Sequence, residues 1–237
     1  MLKIENLSVS LAGSPVLRAL SLDVYAGTTT AVVGRNGAGK TTLLRSIMGL
    51  VTASEGVIHL DDTNLSLSPA HWRTRVGIGY APEDRVIFPT LSVEENLRLP
   101  CDVLGLTELQ MQERLSHVLE VVPQLKPMLA RSGAALSGGQ GKMVALGRAL
   151  MVGTSLVLLD EPFAGVNPVL IEEICQHVRT LNGQGIGFIV IEHHLQALKS
   201  LTKRLIVMDR GIVLAEGDPQ TVLDNPRVQE AYMGGVA

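Results

Sequence analysis

The sequence predicts an α/β fold: a parallel sheet flanked by helices, with an antiparallel strand layer and a helical insert. Three observations carry that prediction. The stretch "TTTAVVG" (28–34) reads as a buried strand running into a glycine-rich turn and then a helix, "KTTLLRSIMGL" (40–50). "SLVLLD" (155–160) and "GIGFIVIE" (185–192) are continuous apolar runs, as expected of central parallel strands covered on both faces. Between the strand at 28–34 and these two runs, from about 92 to 150, the hydrophobic period becomes helical.

Each remaining element follows from local pattern. Residues 2–10 and 17–25 alternate like half-buried strands, with "AGSP" as the turn between them, which predicts an antiparallel edge. "GVIHL" (56–60) and "RVGIGYAP" (75–82) read as further strands. In the insert, "SVEENLRL", "TELQMQERLSHVLEVV" and "SGGQGKMVALGRALM" are helical, with Ser92 and Thr107 as N-caps. "PVLIEEICQHVRTL" (168–181) predicts a helix that joins the two apolar strands, the arrangement that makes them parallel. "RLIVMDRGIVLAEG" (204–217) predicts a hairpin around Asp209–Gly211, followed by a short tail helix. The expected organisation is a single domain, with 1–91 and 151–237 as core and β-subdomain and 92–150 as a helical subdomain.

Composition narrows the function. With 20 Lys+Arg against 23 Asp+Glu in 237 residues, the net charge of −3 argues against a nucleic-acid surface, while a single nucleotide remains possible. Aromatics are 3 %, too few for base-stacking platforms. The hydrophobic fraction is 46 % and mean hydropathy +0.28, yet no uncharged apolar run approaches the ~20 residues that cross a bilayer. The start "MLKIENLSVS" lacks the pattern of a signal peptide, so a cytosolic chain reaching a membrane only through a partner is expected. Cys101 and Cys175 are far apart and read as reduced core thiols. His59, His71, His117 and His177 lack ligand spacing and read as surface or satisfied residues; Trp72 reads as packing and most methionines as core filler.

Two motifs carry chemistry. "GRNGAGKT" fits G-x-x-x-x-G-K-[ST] between a strand and a helix. Its residues Gly34, Arg35, Asn36, Gly37, Ala38, Gly39, Lys40, Thr41 and the following Thr42 form a phosphate cradle: the glycines let the backbone amides turn inward and the helix start adds positive potential. Lys40 is expected to reach the β- and γ-phosphates and Thr41 to ligate Mg²⁺. "SLVLLDE" delivers Asp160 and Glu161 at the C-terminal end of a strand, where open α/β sheets keep their sites. Asp160 is the expected carboxylate for Mg²⁺, bound directly or through a water, and Glu161 is placed to polarise an attacking water. Together they predict an NTPase.

A second glycine-rich helix start, "LSGGQ" (136–140), resembles the signature motif of the ABC (ATP-binding cassette) ATPases, and the resemblance covers essentially the whole chain. It implies a P-loop NTPase fold: an ABC nucleotide-binding domain with RecA-like core, antiparallel β-subdomain and helical subdomain. It also implies ATP and Mg²⁺ as ligands, and a head-to-tail dimer with a second ATPase subunit. There Ser137, Gly138, Gly139 and Gln140 of each chain bind the γ-phosphate held by the other, Ser137 capping its helix and leaving the amides of Gly138, Gly139 and Gln140 for the anion. Glu83, in "GYAPEDR", matches the Q-loop residue near Mg²⁺; His193, in "VIEHH", matches the switch histidine, with His194 as a neighbour only; "AGVNP" (164–168) matches the D-loop.

The chain departs from the family pattern at four places. Leu11 stands where an aromatic ring usually packs on adenine, Glu83 replaces the commoner Gln, Asn167 replaces the D-loop Asp, and Lys142 lies where Gln or Arg is more usual. Within the family, "GIGYAPEDRVIFPTLSVEENLRL" and "NPRVQEAYMGG" resemble the shorter ATPase subunit of branched-chain amino-acid importers. That resemblance implies transmembrane permease subunits, an indirect link to a periplasmic solute-binding protein and a peripheral place on the cytoplasmic face of the inner membrane. Urea or short-amide import and lipopolysaccharide export are the alternatives in the same branch.

Overall fold

The structure is a computed structural model and describes residues 1–193, 198 and 201–233. Strands β1 (Leu2–Leu11), β2 (Ser14–Val24), β4 (Glu55–Leu60) and β5 (Thr63–Asn64) form an antiparallel sheet in the order β2-β1-β4-β5. The first hairpin is tighter than expected. Ala12 (φ 48°) and Gly13 (φ 81°) alone make the turn, because two successive left-handed residues match the twist of the strands, so Ser14 and Pro15 belong to β2.

The second sheet has six strands in the order β10-β9-β3-β8-β7-β6, comprising β3 (Thr29–Gly34), β6 (Ile78–Ala81), β7 (Leu156–Asp160), β8 (Gly187–Ile191), β9 (Arg204–Asp209) and β10 (Ile212–Gly217). All pairs are parallel except the β9–β10 hairpin. The apolar runs are continuous because each strand feeds two cores. Ala31, Val33, Val157, Leu159, Phe188 and Val190 enter one cluster with the helical insert, while Val32, Leu156, Leu158, Ile189 and Ile191 enter the other. Helix α1 (Lys40–Ile47) and the antiparallel sheet supply the rest of that second core.

The insert contains α3 (Val93–Leu104), α4 (Glu108–Val121) and α5 (Gly138–Val152). Ser92 and Thr107 each form a capping box, with Glu95 and Gln110 respectively. The helical pattern stops before Pro100, but α3 runs through it to Leu104; proline forfeits one amide bond there while Leu97 and Cys101 keep the helix buried. Helix α5 lies directly on β6. A Cβ on Gly79 would be 2.1 Å from the Ala149 carbonyl, so only glycine permits this approach.

A short helix, α2 (Ala70–Arg75), precedes β6 where a strand starting at residue 75 is expected. Trp72 lies on it, 45 % exposed with the Arg75 guanidinium 6.0 Å from its ring, so it is not core packing. Helix α6 (Pro168–Gly183) joins β7 to β8, capped by the Asn167 side chain. Two short helices, Pro219–Leu223 and Pro226–Met233, end the described chain. Cys101 and Cys175 are buried and unbridged. Among the described residues no helix is long and apolar enough to cross a membrane.

Candidate nucleotide site

Strand β3 ends at the rim of the sheet and releases the chain at Gly34, from which the loop to Lys40 curls around a cavity of about 540 Å³. Asn36, Gly37, Gly39, Lys40, Thr41, Thr42, Glu83, Glu161 and His193 line it, together with Val16. Gly37 (φ 81°) faces open space, so a ligand can approach the backbone closely there. The Lys40 ammonium, 7 % exposed, donates to the carbonyls of Gly34 (2.8 Å) and Arg35 (3.1 Å), which leaves one of its three N–H donors. Burial lowers its pKa, and the carboxylates of Glu161, Asp160 and Glu83 oppose that shift.

Residue parity on β7 sets the acid. Asp160 shares the face of Leu156 and Leu158, the face covered by α1, so its carboxyl lies beside the first turn of that helix. It is 2 % exposed, and burial pushes its pKa up to about 6 although the Thr41 hydroxyl counters the shift. Neither carboxyl oxygen has a partner at hydrogen-bonding geometry. Two orphaned buried oxygens beside a threonine hydroxyl fit a divalent cation, which would supply the missing charge. Among the described residues no three His, Cys, Asp or Glu side chains cluster as a metal cage.

Glu161 adopts φ 50°, in the left-handed region, immediately after β7. Its amide donates to the Ile191 carbonyl (2.9 Å) and its carbonyl accepts from Lys142 Nζ (2.5 Å). The side-chain Oε1 lies 3.1 Å from His193 Nε2, so the end of β7 and the end of β8 meet through these two groups. Glu192, 4 % exposed, accepts from the amides of His193 (2.9 Å) and Phe163 (2.8 Å), which fixes the segments carrying both. His194 lies outside the described residues.

The signature segment lies elsewhere. Ser137 caps α5 in a capping box: the Gln140 amide donates to Ser137 Oγ (3.3 Å) and the Ser137 amide donates to Gln140 Oε1 (3.0 Å). This corrects the expectation for Gln140, whose amide is engaged by the cap. Of the glycines and Gln140 in the signature, Gly138 and Gly139 keep amides without partners among the described residues. None of these four residues lines the cavity around Lys40.

The family description "ABC transporter" matches residues 17–164. The chain belongs to the ABC transporter family. A second description, "Branched-chain amino acid ATP-binding cassette transporter", matches residues 213–237. Among the curated relatives of this ABC chain, a probable ABC transporter ATP-binding protein of Azorhizobium caulinodans is 38 % identical, covering 97 % of the chain and 81 % of the relative. The lipopolysaccharide export system ATP-binding protein LptB of Acidithiobacillus ferridurans is 33 % identical, covering 99 % and 97 %. A crystal structure of a nucleotide-free ATP-binding cassette from an ABC transporter superposes with a TM-score of 0.84 at 31 % identity, covering 98 % of each chain. The ADP conformation of the cassette MJ1267 gives 0.83 at 32 %, covering 99 % and 98 %. The chain is an ABC ATPase: it binds and hydrolyses ATP.

Against that family pattern, sequence reading places the P-loop, the acidic strand end and His193 together, and the cavity holds them together. It misses three residues. Glu192 enters the sequence pattern only as the end of the run 185–192, although an acid directly before the histidine is a signal for a positioning role. Val16 occupies the cavity wall where Leu11 is expected; Leu11 pairs with Ser14 at the hairpin end, is 42 % exposed and does not line the cavity. Lys142, read only as a departure from the ABC pattern, reaches Glu161.

Proposed function

We propose that this ABC ATPase powers uptake of leucine, isoleucine and valine across the cytoplasmic membrane. In this reading it sits on the cytoplasmic face of the membrane against two permease subunits and pairs head to tail with a second ATPase subunit, while a periplasmic binding protein feeds the permeases. The observation that carries the substrate class is the branched-chain amino-acid match over residues 213–237.

The cavity supports the following residue roles. The Gly37 side of the loop and the remaining Lys40 donor face the phosphates, where a buried ammonium stabilises charge developing on the γ-phosphoryl group. Glu161 orients a water in line with the γ-phosphorus, and His193, already 3.1 Å from it, holds the same water. The water oxygen bonds to phosphorus while the bond to the bridging oxygen of ADP breaks. Thr41 and Asp160, with Glu83 nearby, would hold Mg²⁺, which when bound neutralises phosphate charge. Gly138 and Gly139 present their free amides to the nucleotide of the second subunit, and closure of the dimer drives the permeases from one access state to the other.

The LptB relatives favour a second reading, the ATPase of a lipopolysaccharide-export system, and they match over nearly the full length. Urea or short-amide import is the remaining alternative from the sequence. Gentle solubilisation of the chain from its native membranes, with mass spectrometry of what accompanies it, separates these. Two polytopic permeases, a sister ATPase and a binding protein that titrates with leucine support import; a binding protein that titrates with urea moves the substrate. Permeases linked to lipopolysaccharide without any binding protein would overturn the import reading.

A further inference from the structure

Helix α5 carries the signature residues at its start and, one turn later, a lysine that reaches the other motif. Lys142 Nζ donates to the carbonyl of Glu161 across 19 positions of sequence at 2.5 Å. No other α5 side chain bonds to the Glu161 peptide among the described residues. That peptide is held in a left-handed turn at φ 50°, which a glutamate does not favour unless its surroundings impose it. The Ile191 carbonyl fixes its amide side, so Lys142 is the group that fixes its carbonyl side.

The same end of α5 touches the following loop. A Cβ on Gly139 would lie 3.2 Å from the Gly165 carbonyl. On its other side α5 is bound to the loop after Glu83. Arg85 donates to the Gly138 carbonyl (3.2 Å), and Arg148 donates to the carbonyls of Arg85 and Val86 (2.7 Å each). Helix α5 therefore stands between the loop carrying Glu83 and the turn carrying Glu161, joined to both by charged side chains.

We propose that Lys142 is a positioning residue that links the signature helix to Glu161 within one chain. A displacement of α5 when Gly138 and Gly139 engage the second subunit's nucleotide is passed through the Lys142 ammonium to the peptide of Glu161. The side chain of Glu161 is aimed for hydrolysis only when that helix is seated. The proposal rests on reading Glu161 as the group that orients the attacking water.

The test is steady-state ATPase activity of the full chain and its K142M, K142Q, K142R and E161Q variants, with ATP binding measured by calorimetry. Methionine keeps the apolar stem and removes the donor; arginine restores a donor. K142M is expected to lower kcat about tenfold with KM and ATP affinity within twofold, and to bring the Hill coefficient for ATP towards 1. K142R is expected to recover most of the loss. Should K142M not fold, K142Q, with a donor too short to reach, carries the same expectation. If E161Q is inactive and K142M and K142Q turn over like the unaltered chain, the Lys142 proposal is overturned alone. Wild-type turnover in E161Q instead overturns the reading of Glu161 beneath it. A loss in K142M that K142R does not recover assigns Lys142 a packing role and also overturns the proposal.

Discussion

The imidazole Nε2 of His193 lies 3.1 Å from Oε1 of Glu161, so two side chains 32 positions apart meet over the phosphate loop. Glu161 has no other side-chain partner among the described residues, and that leaves Oε2 open to solvent chemistry. E161Q keeps the size and the histidine contact but loses the charge. Turnover is expected to fall at least 100-fold while ATP affinity stays within threefold. A dimer trapped by ATP and seen by size-exclusion chromatography is the second expected outcome; undiminished hydrolysis would sink the role assigned to Glu161.

Glu192 is the buried carboxylate that holds the amides of Phe163 and His193. Removing it leaves two amides short of their acceptor, each costing ~1–3 kcal/mol when buried. E192A is expected to lower the Tm by several degrees and kcat by about tenfold, with little change in ATP affinity. E192Q retains one carbonyl acceptor and is expected to fall between. A variant with lowered Tm but unchanged kcat would make Glu192 a matter of stability alone.

Asp160 sets a pH dependence of stability. Its pKa in the folded chain is about 6 against an ordinary 3.8, so between those values the folded state binds more protons than the unfolded state. Stability contributed by this group is therefore present at low pH and is lost as pH rises from about 4 to about 6, by at most roughly 3 kcal/mol. Urea denaturation without divalent cations is expected to show this slope, and D160N to flatten it. Mg²⁺ with ATP is expected to offset the loss above pH 6. Equal slopes in both proteins would remove Asp160 as the cause.

The start and the middle of the phosphate loop differ in what a methyl group would meet. At Gly34 (φ 155°) it would sit 2.2 Å from the Met208 carbonyl, backbone that cannot swing aside; at Gly37 (φ 81°) nothing lies within 4 Å. G34A is expected to cost several kcal/mol and to fail in expression or unfold well below the unaltered Tm. G37A pays only the left-handed penalty, ~1–2 kcal/mol, and is expected to fold but bind ATP more weakly. Comparable melting temperatures for the two would contradict this difference in contact.

Much of this was legible because the signals are local. The strand, loop and helix around Lys40 follow from period and glycine spacing, and the caps at Ser92 and Thr107 follow from their fourth-position partners. Helix α2 escaped because six residues hold less than two turns, too short for a period to show. Lys142 and Glu161, and Glu192 and Phe163, are long-range polar pairs formed only once α5 and the sheet ends come together, and no spacing rule reaches across 19 or 29 positions. The signature offers two free amides and not the expected three for a physical reason: a capping box, by its nature, consumes the third amide of the turn.

Leu11, from the family pattern, and Val16, from the cavity wall, are the two candidates for the face against a purine. Val16 lines the cavity, while Leu11 stands exposed at the end of β1 beside the Ala12–Gly13 turn. An aliphatic wall packs on a base without the quadrupole attraction of a ring, and stacking adds ~0.5–1.5 kcal/mol beyond burial. L11Y is therefore expected to tighten ATP binding about threefold to tenfold in calorimetry, with the gain shared by other purine triphosphates because stacking does not read ring substituents. V16A, which opens the cavity wall instead, is expected to weaken it. Unchanged affinity in L11Y together with a loss in V16A would place the base against Val16 alone and separate this chain's base site from the family's aromatic position.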